Sequence, residues 1–141
     1  MSTPLIVEQV YAAPIEKVWR ALTDTDQLRG WYFPQLQKFE PVVGFQFEFA
    51  NDGSPYGKAW GVTEVEAGRK LAHTWAYQNY PGSSEVRFEL QAQGAATKLR
   101  LTHTGLESFP PDPHFARRRF EDGWAQILGR NLKDYLAKAA D

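Results

Sequence analysis

The sequence has no cysteine and a single methionine in 141 residues. That excludes a disulfide framework, a thiol nucleophile and a thiolate metal site. Histidine is scarce, with three in the chain. None stands in a His-x-His or His-Glu-x-x-His run, and zinc needs three or four ligands, so no metal is expected. A Gly-x-Ser-x-Gly elbow, a P-loop and a Gly-x-Gly-x-x-Gly fingerprint are all missing, and no cofactor is expected. Excess charge is absent too. A formal net charge of -1 gives no electrostatic reason to expect nucleic acid or an anionic membrane as partner. No apolar run approaches the ~20 residues that span a bilayer. The opening Met1-Ser-Thr-Pro-Leu-Ile-Val-Glu8 shows no charged leader, so a soluble, cytoplasmic chain is expected. Without repeats, low-complexity segments or a composition shift, residues 1–141 read as one domain.

What the sequence has in quantity is aromatic surface. Five Trp and nine Phe contribute to an aromatic share of 14%. Such large, stiff side chains either fill a core or line a cavity. They recur in the last stretch, where Phe120, Trp124, Ile127, Leu128, Leu132, Tyr135 and Leu136 are spaced by threes and fours, the period of one helix face. Asp112 is placed to cap this helix and Pro113 to open it. A helix from there to Lys138 would be roughly 37 Å long. A sheet of six or seven strands is roughly 30 Å wide, so the helix can cross one. Gly123 beside Trp124 is expected to let it approach closely.

The preceding residues supply the sheet. Leu5 to Tyr11 reads as a strand that Ala13-Pro14 stops. Pro14 opens a short helix through Val18, Trp19 and Leu22, and Thr23 or Asp24 caps a second ending near Trp31. Two helices this short plug an edge or end of the sheet. From Leu36 the pattern turns extended. Phe45, Phe47 and Phe49 alternate with polar residues, Asn51 to Pro55 is a turn, and Gly57 to Glu66 is a strand. Leu71, His73, Trp75 and Tyr77 share one face, as do Val86, Phe88 and Leu90, then Leu99, Leu101 and His103. These are hairpin-linked antiparallel strands with one apolar face, which the long helix would cover. Alternate turns of a meander share an end. Loops 51–56, 78–84 and 104–113 therefore meet the start of the long helix at one rim, the mouth of any pocket.

Four segments together resemble a known family. Ala13-Pro-Ile-Glu-Lys-Val-Trp-Arg-Ala-Leu-Thr-Asp24 with Trp31 is similar to the opening of the SRPBCC (START-like) superfamily. Val62-Thr-Glu-Val-Glu66 with Arg69-Lys-Leu-Ala-His-Thr-Trp75 resembles the branch homologous to activators of the ninety-kilodalton heat-shock chaperone's ATPase. Thr97 to Gly105 and Gly123 to Leu128 complete the pattern, which covers essentially the whole chain. The resemblance implies an α+β helix-grip fold: a curved antiparallel sheet around a long C-terminal helix, with a cavity between. It also implies that fold does not fix function, because carriers, hormone-binding proteins, cyclases and oxygenase domains share it. Stimulation of the chaperone's ATPase is associated with a two-domain architecture, and this sequence reads as a single-domain member.

On this basis the expected function is non-covalent binding of a small, largely apolar or amphipathic molecule. Trp60, Trp75, Tyr77, Phe88, Phe120 and Trp124 would line the cavity. The alternatives are an interaction protein of chaperone or stress-response type, and a cyclase- or hydrolase-type enzyme. His73 and His103 both fall in the apolar phase of their strands and read as satisfied, buried or cavity-facing histidines, and His114 as a surface one; an enzyme would need a base, for which His103 is the candidate. Arg117 and Glu121 fall within the apolar stripe and are four apart, so they can pair. Either they satisfy each other and touch nothing else, or they join His103 in a polar cluster at the mouth that orients a ligand's head. Asn131, also on the stripe, needs a partner. The pairs Glu64/Glu66 and Glu85/Glu89 read as solvated.

Overall fold

The computed structural model describes residues 4–50, 58–78 and 80–138. The turn expected at Asn51 to Pro55 and the side chain of His114 lie outside the described residues. Strand β1 (Leu5–Tyr11) leads into α1 (Ile15–Thr23) and α2 (Thr25–Trp31). Then come β2 (Leu36–Lys38), β3 (Glu48–Phe49), β4 (Val62–Glu66), β5 (Lys70–Trp75), β6 (Ser84–Gln93) and β7 (Ala96–Thr104). The chain closes with α3 (Arg117–Gln126), a π-helical segment (Ile127–Leu132) and α4 (Lys133–Lys138), one continuous helix.

Five antiparallel strands pair in the order β1-β7-β6-β5-β4, and β2 pairs with β3. Hydrogen bonds from Phe47 N to Trp60 O and from Val62 N to Phe45 O tie the 45–49 segment to the edge at β4. The strand expected from Gly57 is regular only from Val62, because Lys58 and Gly61 make single bridges, to Tyr77 and Gln46. On one face, Leu71, His73 and Trp75, Val86, Phe88 and Leu90, and Leu99, Leu101 and His103 are all buried. This is the alternation a one-sided sheet requires. Phe120, Trp124, Leu128, Leu132 and Leu136 of the C-terminal helix are buried with them. The architecture is the expected helix-grip α+β fold.

The helix begins later than Asp112 and Pro113 suggest. Pro113–Phe115 forms a separate 3-10 turn. Ala116 is extended (φ -65, ψ 140) and is the helix N-cap, with no side-chain capping bond. At 1.5 Å per residue the helix spans about 33 Å, still enough to cross the sheet. Asp24 does cap α2, accepting from the amides of Asp26 and Gln27. Pro14 is the N-cap of α1 and not its first helical residue. Gly123 has no close-approach role, since a Cβ there would meet nothing within 4 Å. Close approach occurs at Gly30, where a Cβ would fall 2.7 Å from the Tyr135 ring. In the π-helical segment the Tyr11 hydroxyl donates to the Leu128 carbonyl at 2.8 Å, a buried bond that pins the helix to β1.

No helix among the described residues is long and apolar enough to cross a membrane. Nor, among those residues, does any group of three or more His, Asp or Glu side chains stand ready to hold a metal ion.

Candidate functional site

The inner face of the sheet carries a continuous aromatic stack. Trp60 and Trp75 have ring centroids 4.3 Å apart, and Trp60 stacks on His73 at 4.9 Å. Trp124 meets Trp75 edge-on at 5.5 Å and Phe88 at 6.0 Å. Phe120 meets Trp75 at 6.0 Å and His103 at 5.3 Å. The Trp75 indole N–H donates to the Tyr77 hydroxyl at 2.8 Å. Trp60, Trp75, Tyr77, Phe88, Phe120 and Trp124 are thus brought together with His103, but as rings packed on rings. Offset and edge-to-face contacts of this kind stabilise beyond the area they bury.

Hydrogen bonds through this stack fix the protonation of both interior histidines. The Trp124 indole N–H lies 3.0 Å from His103 Nδ1. An indole nitrogen can only donate, so Nδ1 is the acceptor and the proton sits on Nε2. Nε2–H then donates to Ser84 Oγ at 2.8 Å, and that hydroxyl donates to the Trp75 carbonyl at 2.8 Å. His103 is fully buried, and its pKa is lowered to about 3, first by burial and then by nearby His73. His73 has the opposite tautomer. Its Nδ1 is 2.7 Å from the Thr74 carbonyl and must donate, so Nε2 accepts the Tyr32 hydroxyl at 3.1 Å. Burial lowers its pKa to about 4 against the opposing bond to Thr74. The basic lone pair of each ring is already engaged.

The expected polar cluster of His103, Arg117 and Glu121 does not form. His103 bonds to Ser84 and Trp124. Arg117 Nε pairs with Glu121 at 3.1 Å, and its Nη2 donates to the Pro4 carbonyl at 3.2 Å. Their side chains are 37% and 50% exposed, so this pair borders solvent and not the stack. The helix wheel placed them within the stripe, but long side chains at its margin carry their charges out to water. Asn131 accepts from Gln126 Nε2 at 2.9 Å, a partner on its own helix. Of the Glu pairs, three members form ion pairs on the outer sheet face: Arg87 is 3.1 Å from Glu64 and 3.9 Å from Glu85, and Glu66 lies 3.9 Å from Arg69 and 4.0 Å from Lys70.

At the mouth, loops 78–84 and 104–113 do meet. The Ser83 amide and carbonyl both bond Ser108 Oγ at 2.9 Å. Tyr77, Phe109 and Phe115 pack there, with centroids 5.2 to 5.7 Å apart. A concavity of about 460 Å³ lies elsewhere, lined by Arg69, Lys70, Glu89, Lys98 and Arg100 among others. Its hairpin-turn end is opposite the mouth.

Several residues of the site escaped the sequence reading. Tyr32 touches Trp60, His73, Phe88 and Trp124 at 5.8 to 6.1 Å, joining helix to sheet. Phe33 and Phe49 stand edge-on to Trp60 at 5.2 and 5.1 Å, and the Lys58 ammonium lies over both rings at 4.9 and 5.4 Å. The available signal was the aromatic run Trp31-Tyr32-Phe33 directly after α2. Among the described residues, two buried polar atoms have no hydrogen-bond partner: Trp60 Nε1 and Gln35 Oε1.

The curved sheet, the paired short helices and the long helix packed against its aromatic face define the helix-grip class. Residues 12–137 match the family described as activator of Hsp90 ATPase homolog 1-like protein, and the chain belongs to that family. A solved protein from Mesorhizobium loti is 29% identical over 99% of this chain and 100% of its own, with a TM-score of 0.77. One from Bacillus halodurans is 25% identical over 96% and 97%, with a TM-score of 0.75. An Hsp90 activator from Plasmodium falciparum, 22% identical over 96% and 97%, has a TM-score of 0.76 and shares the fold. No curated protein matches the sequence.

Proposed function

We propose that this chain binds a flat, mostly apolar small molecule carrying one hydrogen-bond acceptor, on the aromatic inner face of the sheet, without covalent chemistry. The observation that carries this reading is the indole N–H of Trp60, buried at 1% exposure among rings with no acceptor among the described residues. An orphaned buried donor costs about 1–3 kcal/mol, which an incoming carbonyl would recover. The ring faces around it suit a planar ligand more than a flexible alkyl chain. Phe33 and Phe49, both half-buried and edge-on to Trp60, are the side chains whose movement would admit it. Catalysis has less support, because His103 and His73 are neutral and already hydrogen-bonded on both nitrogens.

The test is quenching of intrinsic tryptophan fluorescence by a flavone, by a planar hydrocarbon without the carbonyl, and by a fatty acid. Saturable quenching by the flavone is expected, with the hydrocarbon weaker. Trp60→Phe should weaken the flavone about tenfold, the worth of one buried hydrogen bond, and leave the hydrocarbon unchanged. Equal loss for both ligands, or no saturable binding, would overturn the reading.

A second reading, docking on a chaperone, draws on the family's description and on Val42 and Val43, which are 55% and 61% exposed. It predicts that Val42→Asp with Val43→Asp abolishes any effect of this chain on Hsp90 ATPase turnover. No effect of the unsubstituted chain would remove it.

A further inference from the structure

Among the described residues β1 is an edge of the sheet, paired on one side only, with β7. The side of β1 that bonds β7 follows from the ladder's alternation. The Leu90 amide donates to the Arg69 carbonyl, on the β5 side. Leu90 therefore turns its backbone away from its β7 partner Leu99, and Leu99 turns its own toward its β1 partner Gln9. In β1, Leu5, Val7, Gln9 and Tyr11 accordingly bond β7. Ile6, Glu8 and Val10 direct their N–H and C=O groups outward along the edge. The same three side chains lie on the outer face, and Ile6 and Val10 are each 57% exposed.

Sheet edges are normally protected by shortness, bulges, proline or lysine. This strand runs for seven residues, Leu-Ile-Val-Glu-Gln-Val-Tyr, in unbroken register with β7. Its one charge on the outer face, Glu8, is held by Arg100 Nε at 2.7 Å and Lys98 Nζ at 3.6 Å.

We infer that β1 pairs antiparallel with β1 of a second copy of this chain, joining two five-stranded sheets across a two-fold axis at Glu8. In that register Glu8 faces Glu8 of the second copy in a hydrogen-bonded pair. Ile6 faces the second copy's Val10, and Val10 its Ile6. Every outward-directed backbone group of one edge then meets one of the other, as an isologous interface requires. The exposed β-branched side chains cover each other, a favourable cross-strand pairing. The two central carboxylates are tolerated because each is already neutralised within its own chain. A strand from an unrelated protein could use the same amides. The symmetric placement of two apolar residues about one neutralised acid favours a second copy.

Sedimentation equilibrium combined with cysteine trapping tests this, helped by the absence of native cysteine. Hydrogen-bonded antiparallel partners have Cα atoms about 5.5 Å apart, within disulfide range. Glu8→Cys should therefore cross-link to a covalent dimer on mild oxidation. The sulfurs of Val10→Cys start from backbones offset by four residues, roughly 13 Å, and should not. Ile6→Lys with Val10→Lys, both at exposed positions, should keep the native circular dichroism and sediment as monomer. A native chain that stays monomeric at the highest attainable concentration would overturn the inference. So would a dimer that survives the double lysine variant, or cross-linking of V10C as complete as that of E8C.

Discussion

Trp124 combines packing and polarity in one side chain. It is 1% exposed, touches Tyr32, Trp75, Phe88 and His103, and donates the hydrogen bond that fixes the His103 tautomer. Trp124→Ala should destabilise by about 3–5 kcal/mol through the cavity it leaves. Trp124→Phe keeps most of the ring volume but strips His103 Nδ1 of its donor, a cost of about 1–3 kcal/mol. Urea midpoints read both. If W124A loses less than about 1 kcal/mol, the helix is not seated through this residue. The stripe's period pointed to Trp124 from the sequence, because spacing alone reveals a buried face. Its hydrogen bond was not legible. The partner His103 lies 21 positions away on a different element, and only the fold brings the two nitrogens to 3.0 Å. Tyr32 escaped for a related reason. It stands just beyond a helix end, where no periodicity marks which side chain turns inward.

At the scale of elements, β1 was legible to the residue, since its apolar run meets a hard stop at Ala13-Pro14. The start of the C-terminal helix was not. Asp112-Pro113 has the composition of a helix start, but Pro113 opens a one-turn 3-10 segment and extended Ala116 resets the chain before Arg117. Composition marks where a turn begins without stating how long it lasts. The same limit explains Arg117 and Glu121, whose wheel angle is inward but whose charged ends reach solvent. Within that helix Gly123 weakens the element without serving it. Its Cβ position is open, so Gly123→Ala adds no clash and removes the conformational freedom glycine has when unfolded. A gain of about 0.5–1 kcal/mol is expected. A fall in the thermal midpoint on G123A would show that the open space at this position is needed for the close seating of Trp124.

Across the whole molecule, the two buried histidines link stability to pH. The unfolded rings titrate near 6.5, whereas in the fold burial lowers His73 to about 4 and His103 to about 3. Between those limits the unfolded chain takes up protons that the native chain refuses, so stability falls as pH falls. It is fully present above pH 6.5. Each ring contributes a slope of up to about 1.4 kcal/mol per pH unit, and the two together should remove about 6 kcal/mol by pH 4. That loss is comparable to the whole stability of an ordinary domain. The rings cannot relieve it locally. Protonating His103 Nδ1 would set a new N–H against the Trp124 indole N–H, and protonating His73 Nε2 would force the Tyr32 hydroxyl to give up its acceptor. Urea midpoints measured from pH 7.5 to 4.5 should therefore fall steeply below 6.5. His103→Gln, whatever it costs at pH 7.5, should halve the slope between pH 6 and 4.5, because one titrating ring remains. A midpoint flat from pH 7 to 5, or a slope unchanged in H103Q, would mean that His103 is not held neutral in the fold.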